Sequence, residues 1–231
     1  MNTMVLPKSN NAISSIKANR LFWMGRYAER VYLALHLLRK HYDLMIDENE
    51  EAYKIFCTKM GIEDKYTSPE HFMECYLYDF DNHDSIINML EKANDNAILL
   101  REEIKSETLS YIQLAINYIR NGKECQKRLG GLQYITDCML AFWGSIDERI
   151  SQTNIRKIIF FGKFVESSDI HLRFDYPLER IVNLSKRMKE CISCDLEMYD
   201  GVQLSAYENQ LYADSYKDIK TISYLNAIFH A

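Results

Sequence analysis

The sequence predicts an all-α protein: a multi-helix bundle built from a tandem duplication, with its two long helices related by a pseudo-two-fold. Three observations carry that reading. Only eight Gly and three Pro occur in 231 residues, and those are the residues that tight turns and sheet connections consume. From Leu21 an apolar residue returns at steps of three and four, through Met24, Ala28, Val31, Leu35, Leu38, Tyr42 and Met45. A ten-residue segment near the start also recurs later with the chemical class of every position kept.

The seven-residue seam from Leu21 to Met45 lasts longer than an isolated amphipathic helix needs, so it predicts a long helix packed along a neighbour. Its other faces carry Phe22, Trp23, Tyr27, Tyr32, Leu33 and Leu37, which places this helix in the core. After Asp47 a helix is expected to about Met60, stopped by Gly61. Ser68-Pro69-Glu70 opens the next, with Pro at the first helical position, and it runs to about Phe80. Asp84 or Ser85 caps a helix to about Ile104, and Ser106 caps another to Arg120, ended by Asn121-Gly122. Glu124 to Ile150 is helical in pattern despite Gly130-Gly131 and Gly144. Each glycine costs about 1 kcal/mol in a helix interior, which implies close packing or a kink. Asn154 to Phe174 is helical, Pro177 opens a helix to about Met198, and Leu204 to Phe229 forms a final helix or pair. Nothing resembles an interdomain linker, so a single helical domain over 1–231 is expected, with repeat 1 over about 12–122 and repeat 2 over about 123–231.

Composition excludes several function classes. A net charge of −5 gives no basic field for phosphates, which argues against nucleic acid. No run of 18 apolar residues is present, so no membrane span is expected. Residues 1–19 lack a secretory signal and the six Cys lie mostly in helical patterns, which together predict a cytoplasmic protein with free thiols. None of the six His has Glu three residues before it, so a carboxylate-bridged di-metal bundle is not expected. Cys191-Ile-Ser-Cys194 has no second pair to complete a zinc site. Gly130-Gly131 lacks the Lys-Ser of a phosphate loop, and Gly-x-Ser-x-Gly is absent. No catalytic residue, metal ligand or cofactor is therefore assigned, and the reading favours a non-enzyme. The abundant Tyr and Trp are expected chiefly in the core; the alternative for Tyr76, Tyr78 and Phe80 beside Asp79 and Asp81 is an acidic aromatic edge of the kind that meets a basic partner.

Setting Gly25 over Gly162 lays Arg20–Glu29 on Lys157–Glu166. Both segments read cation, four apolar residues, Gly, cation, aromatic, apolar, Glu. A repeated glycine inside a helix marks close approach of another backbone, so a tight crossing is expected. Glu29 lies seven residues from Phe22 and from His36, and Arg30 seven from Trp23 and from Leu37, so both charges sit on largely apolar stripes. Buried charge must be paired, since losing one partner costs about 3–5 kcal/mol. Arg26, three residues before Glu29, is one candidate partner, with Lys163 and Glu166 at the same spacing; an Arg from another helix is the other.

Leu21-Phe-Trp-Met-Gly-Arg-Tyr-Ala-Glu-Arg30 resembles the alpha-E domain family, a bacterial helical domain with a Glu-Arg motif, typically tandemly duplicated. Ala93-Asn-Asp-Asn-Ala97, Leu100-Arg-Glu102 and Ser106-Glu107 resemble its middle helix, and Gly144 through Glu166 the entry to its second copy. Ser167 stands where the second copy's motif would carry Arg, and Asn94 where the middle segment commonly has Arg, so two equivalent sites are not implied. The family's gene context implies partners of ATP-grasp or transglutaminase-like type in bacterial peptide synthesis or modification. The resulting site residues are Trp23, Gly25, Arg26, Glu29, Arg30, Arg101, Glu102, Glu107, Gly162, Lys163 and Glu166. They are expected to form a register-fixing ion-pair network in a non-catalytic scaffold or accessory protein. The alternative is an enzyme or ligand-binding protein with an interhelical Glu/Arg pocket for an amino-acid or peptide group. A cavity reached by both Glu29 and Arg30 would support the pocket, and mutual salt bridges in a sealed core the scaffold.

Overall fold

The apolar seam forms α1 (Ser15–Asp47), 33 residues long, whose N-cap Ser14 accepts a hydrogen bond from the Lys17 amide. The structure is a computed structural model, and it describes residues 13–125, 130–192, 198–213 and 216–230. α2 (Ala52–Met60) stops at Gly61, whose φ of 71° suits a residue without a side chain. α3 (Pro69–Tyr78) has Ser68 as its cap and Pro at its first turn, and Ser85 caps α4 (Ile86–Leu99). There follow α5 (Arg101–Ile104), α6 (Ser106–Cys125), α7 (Gly130–Arg149), α8 (Thr153–Arg173), α9 (Leu178–Cys191), α10 (Gly201–Leu211) and α11 (Ile219–Asn226). Among the described residues the protein is all-helical, apart from an isolated bridge between Tyr199 and Phe229. No helix among them is long and apolar enough to cross a membrane.

Several boundaries differ from the sequence reading. The helix expected up to Ile104 breaks at Leu100, and Lys105, at φ 72°, turns the chain into α6. α6 runs through Asn121-Gly122 to Cys125. One glycine costs a helix only about 1 kcal/mol, which the backbone hydrogen bonds of a propagating helix can offset. α9 ends at Cys191 rather than Met198 because Ile192 is extended; Cys194 lies outside the described residues. Gly131 does mark close packing, since a Cβ there would stand 2.7 Å from the Tyr118 hydroxyl. Gly144 does not: nothing lies within 4 Å of a Cβ built on it.

α1 and α8 run side by side in the same direction. Gly25 lies against Ile159, Arg26 bonds Glu166 and His41 meets Phe174, so the partners keep a nearly constant offset along the two helices. Parallel neighbours need a long connection, here α2 to α7. α4 covers another flank of α1, α9 packs on α8, and α6 pairs with α7. Beside α1, the rings of Tyr53, Phe56, Phe72 and Tyr76 pack with centroids 5.3–5.6 Å apart. At the other end Phe229, after α11, stacks on Phe22 at 4.0 Å.

Candidate functional site

The crossing of α1 and α8 is notched on both sides by glycine. A Cβ at Gly25 would lie 3.2 Å from the Ile159 carbonyl carbon and closer than 3.0 Å to its oxygen; one at Gly162 would meet the Phe22 carbonyl in the same way, 3.1 Å from its carbon. Backbone touches backbone here, which no larger residue permits. The close approach lets short-range ion pairs form across the helices on the turn that follows each notch.

Glu166 is 2% exposed, and its two oxygens take the Nε atoms of Arg26 at 2.7 Å and Arg30 at 2.5 Å. Asp169, one turn on and 1% exposed, lies 3.8 Å from Arg30 and 2.8 Å from Arg173. Glu29, 3% exposed, is held differently. Its Oε1 accepts the Ser167 hydroxyl at 2.5 Å, while its Oε2 is 3.9 Å from the Lys163 ammonium and meets no hydrogen-bond donor among the described residues. Lys163 in turn sits 4.0 Å over the Trp143 ring. The pairs are reciprocal: Arg26 to Glu166 answers Lys163 to Glu29, and Arg30 to Glu166 answers Ser167 to Glu29.

One difference in this reciprocity sets the electrostatics. Burial would push the Glu166 carboxyl up, but the Arg26 and Arg30 guanidiniums outweigh it and hold it below the usual range. At Glu29 burial wins, because Lys163 and the Ser167 hydroxyl oppose it only weakly, and the carboxyl is raised. Burial likewise lowers Lys163. Arg30 is held charged, Glu166 overcoming the cost of its burial. The serine in place of a second Arg therefore leaves one of the two glutamates short of positive charge.

A pH signature follows from these directions. A carboxyl with a raised folded pKa adds stability below its unfolded value and loses it as pH rises through the folded value. Glu29→Gln is therefore expected to cost less than Glu166→Gln at neutral pH. The advantage of the natural chain over Glu29→Gln should grow as pH falls towards the ordinary carboxylate range. Thermal melts of both chains across that range check this, and a difference that shrinks on acidification would contradict it.

The crossing brings together Gly25, Arg26, Glu29, Arg30, Gly162, Lys163 and Glu166. Trp23 lies at its edge, 38% exposed, with the Arg26 guanidinium 5.1 Å from its ring. Arg101, Glu102 and Glu107 are not part of it. All three are exposed, because the break at Leu100 and the turn at Lys105 swing them outward, and Arg101 bonds the Ser106 hydroxyl instead. Tyr76 is fully buried, in keeping with core packing rather than with an acidic aromatic edge, and the field of Arg30 reaches it. Sequence reasoning missed Asp169, Arg173 and Trp143. Asp169 and Arg173 carried a signal in their four-residue spacing on one helix face; Trp143 comes from a different helix and carried none.

Two surface clefts flank Trp23. One, of about 380 Å³, is lined by Ser15, Asn19, Arg20, Tyr27 and Asn96 among others. The second, of about 520 Å³, is lined by Asn19, Phe22, Arg26, Asn226, Phe229 and His230 besides Trp23. Neither reaches Glu29 or Arg30. Among the described residues no three His, Cys, Asp or Glu side chains are grouped to hold a metal ion.

Residues 13–175 match the model of a family, Alpha-E, described as a predicted alpha-helical domain with a conserved ER motif. Two Glu-Arg pairs fall in that span: Glu29-Arg30 in the crossing, and Glu148-Arg149, exposed at the end of α7. No curated protein and no solved structure matches the chain.

Proposed function

We propose a structural role for this chain, which belongs to the Alpha-E family: a non-catalytic helical scaffold or accessory protein. The observation that carries this is the closure of the motif charges on one another. Arg26 and Arg30 are both bound to a Glu166 that is 2% exposed, and Glu29 is sealed behind Ser167. Glu29, Arg30 and Glu166, so engaged, fix helix register. The alternative pocket around Glu29, Arg30 and Glu166 lacks support, since neither cleft beside Trp23 reaches Glu29 or Arg30.

The reciprocal contacts support reading the chain as one domain made of two copies, about 12–122 and 123–231, with α1 and α8 related by a local two-fold. In this reading the serine at 167 marks where the second copy has given up its arginine. The partners are ATP-grasp or transglutaminase-like proteins of a bacterial peptide-modification system in the cytoplasm, an assignment that rests on the family resemblance. Affinity capture of the tagged full chain from its native host, with quantitative mass spectrometry, tests this. Enrichment of an ATP-grasp or transglutaminase-like protein over an unrelated tagged control is the expected result. Capture that enriches neither class would end the partner assignment.

A further inference from the structure

The charges around Glu166 and Asp169 do not balance. Three guanidiniums, Arg26, Arg30 and Arg173, share two carboxylates, Glu166 and Asp169. Arg26 gives only its Nε to Glu166, and among the described residues no acceptor meets its Nη groups. It is also the one of the three that lines the 520 Å³ cleft. None of the residues lining that cleft is acidic.

The remaining walls narrow the chemistry. Phe22, Trp23 and Phe229 supply aromatic surface, with Phe229 stacked on Phe22 at 4.0 Å. Asn19 and Asn226 supply amides, and the exposed His230 closes one side. A guanidinium that is only 8% exposed but lines the cleft, its Nη edge without a protein acceptor beside aromatic rings and amides, suits a planar carboxylate next to an apolar group and a peptide unit. One unbalanced positive charge matches a monoanion better than a phosphate ester, which carries about −1.5 to −2 at neutral pH.

We propose that this cleft binds a carboxylate of a peptide, with the carboxylate on the open edge of Arg26 and the adjoining apolar side chain against Trp23. The site does not include the motif pair Glu29-Arg30 and does not depend on the scaffold reading. Its ligand carboxylate is either a peptide's C-terminus or an acidic side chain, and the probes separate these sources.

The test follows the two tryptophan indole signals in ¹H–¹⁵N spectra of the full chain, with Trp23→Phe assigning them. The probes are N-acetyl-Ala-Phe as free acid, the same dipeptide as its C-terminal amide, N-acetyl-Glu-Phe-amide, and inorganic phosphate. The free acid, the Glu-Phe amide, or both should move the Trp23 signal saturably and leave Trp143, only 5% exposed, in place. The Ala-Phe amide and phosphate should bind at least ten-fold more weakly. A response to the free acid alone places a C-terminus at Arg26, and one to the Glu-Phe amide alone an acidic side chain. Arg26→Lys should weaken the bound probe at least ten-fold. Should that variant fail to fold, Trp23→Ala, altered at an exposed wall and read by calorimetric titration of the same probes, carries the same expectation. The proposal is overturned if no probe moves Trp23, if the Ala-Phe amide or phosphate matches the carboxylate probes, or if the folded variants bind as the natural chain does.

Discussion

Glu166→Ala is expected to lower the melting temperature by roughly 6–20 °C, from a loss of about 3–5 kcal/mol at about 2–4 °C per kcal/mol for a chain of this size. The substitution leaves Arg26 and Arg30 without the carboxylate that both use, at a position only 3% exposed. Glu166→Gln keeps the shape and removes the charge, so it should lose most of the same stability; a Gln variant melting within about 2 °C of the natural chain would refute the ion-pair account. The pH sign is opposite to that of Glu29. A carboxyl held low in the fold contributes stability above its unfolded value, and that contribution is lost as pH falls through the folded value. Melts between neutral and acid pH should therefore show the natural chain losing its advantage over Glu166→Gln on acidification.

Gly25→Ala should be nearly as damaging. A methyl group there would overlap the Ile159 carbonyl, a backbone group with no alternative rotamer, so the helices must move apart. Overpacking of this kind costs about 1–3 kcal/mol or more, against about 1 kcal/mol that alanine returns in helix propensity. A net loss of at least about 2 kcal/mol is expected, because separating the helices also lengthens the Arg26 and Arg30 contacts to Glu166. Gly162→Ala should behave alike, and the double variant should lose less than the sum because both act on one contact. Gly144→Ala, with open space around it, is the control and should melt at or slightly above the natural chain. Denaturant titrations of the four variants decide it, and equal behaviour of Gly25→Ala and Gly144→Ala would refute the notch.

How far the fold was legible depended on how local its determinants are. α1, α3 and α8 were read within a few residues because a seam, a Ser-Pro start and a repeated segment are properties of short windows. The break at Leu100 was not, since Lys105 gives no sequence sign of its left-handed φ. That break exposes Arg101 and Glu102, and Glu107 is exposed on α6, although the resemblance to the family's middle helix had grouped all three with the motif charges. At the site, the glycines and the Arg26, Glu29, Lys163 and Glu166 set were visible through the repeat. Which cation serves which carboxylate was not, because the intrahelical Arg26 to Glu29 spacing and the actual Arg26 to Glu166 bond look equally good until the crossing is known. The 520 Å³ cleft beside Trp23 depends on Asn226, Phe229 and His230, some 200 positions further along the chain, and no local pattern announces that meeting.

The parallel alliance of α1 with α8 also dictates an order of events while the chain is being made. A ribosome adds about 5–20 residues per second, so Glu166 follows Arg26, 140 positions upstream, by about 7–28 s. For that interval the flank of the first helix that will meet α8 is in the open and its arginines are unanswered. Maturation of the whole molecule thus waits on one late arrival, and a nascent chain stalled before position 166 would present its most adhesive element to whatever chaperone or companion is near.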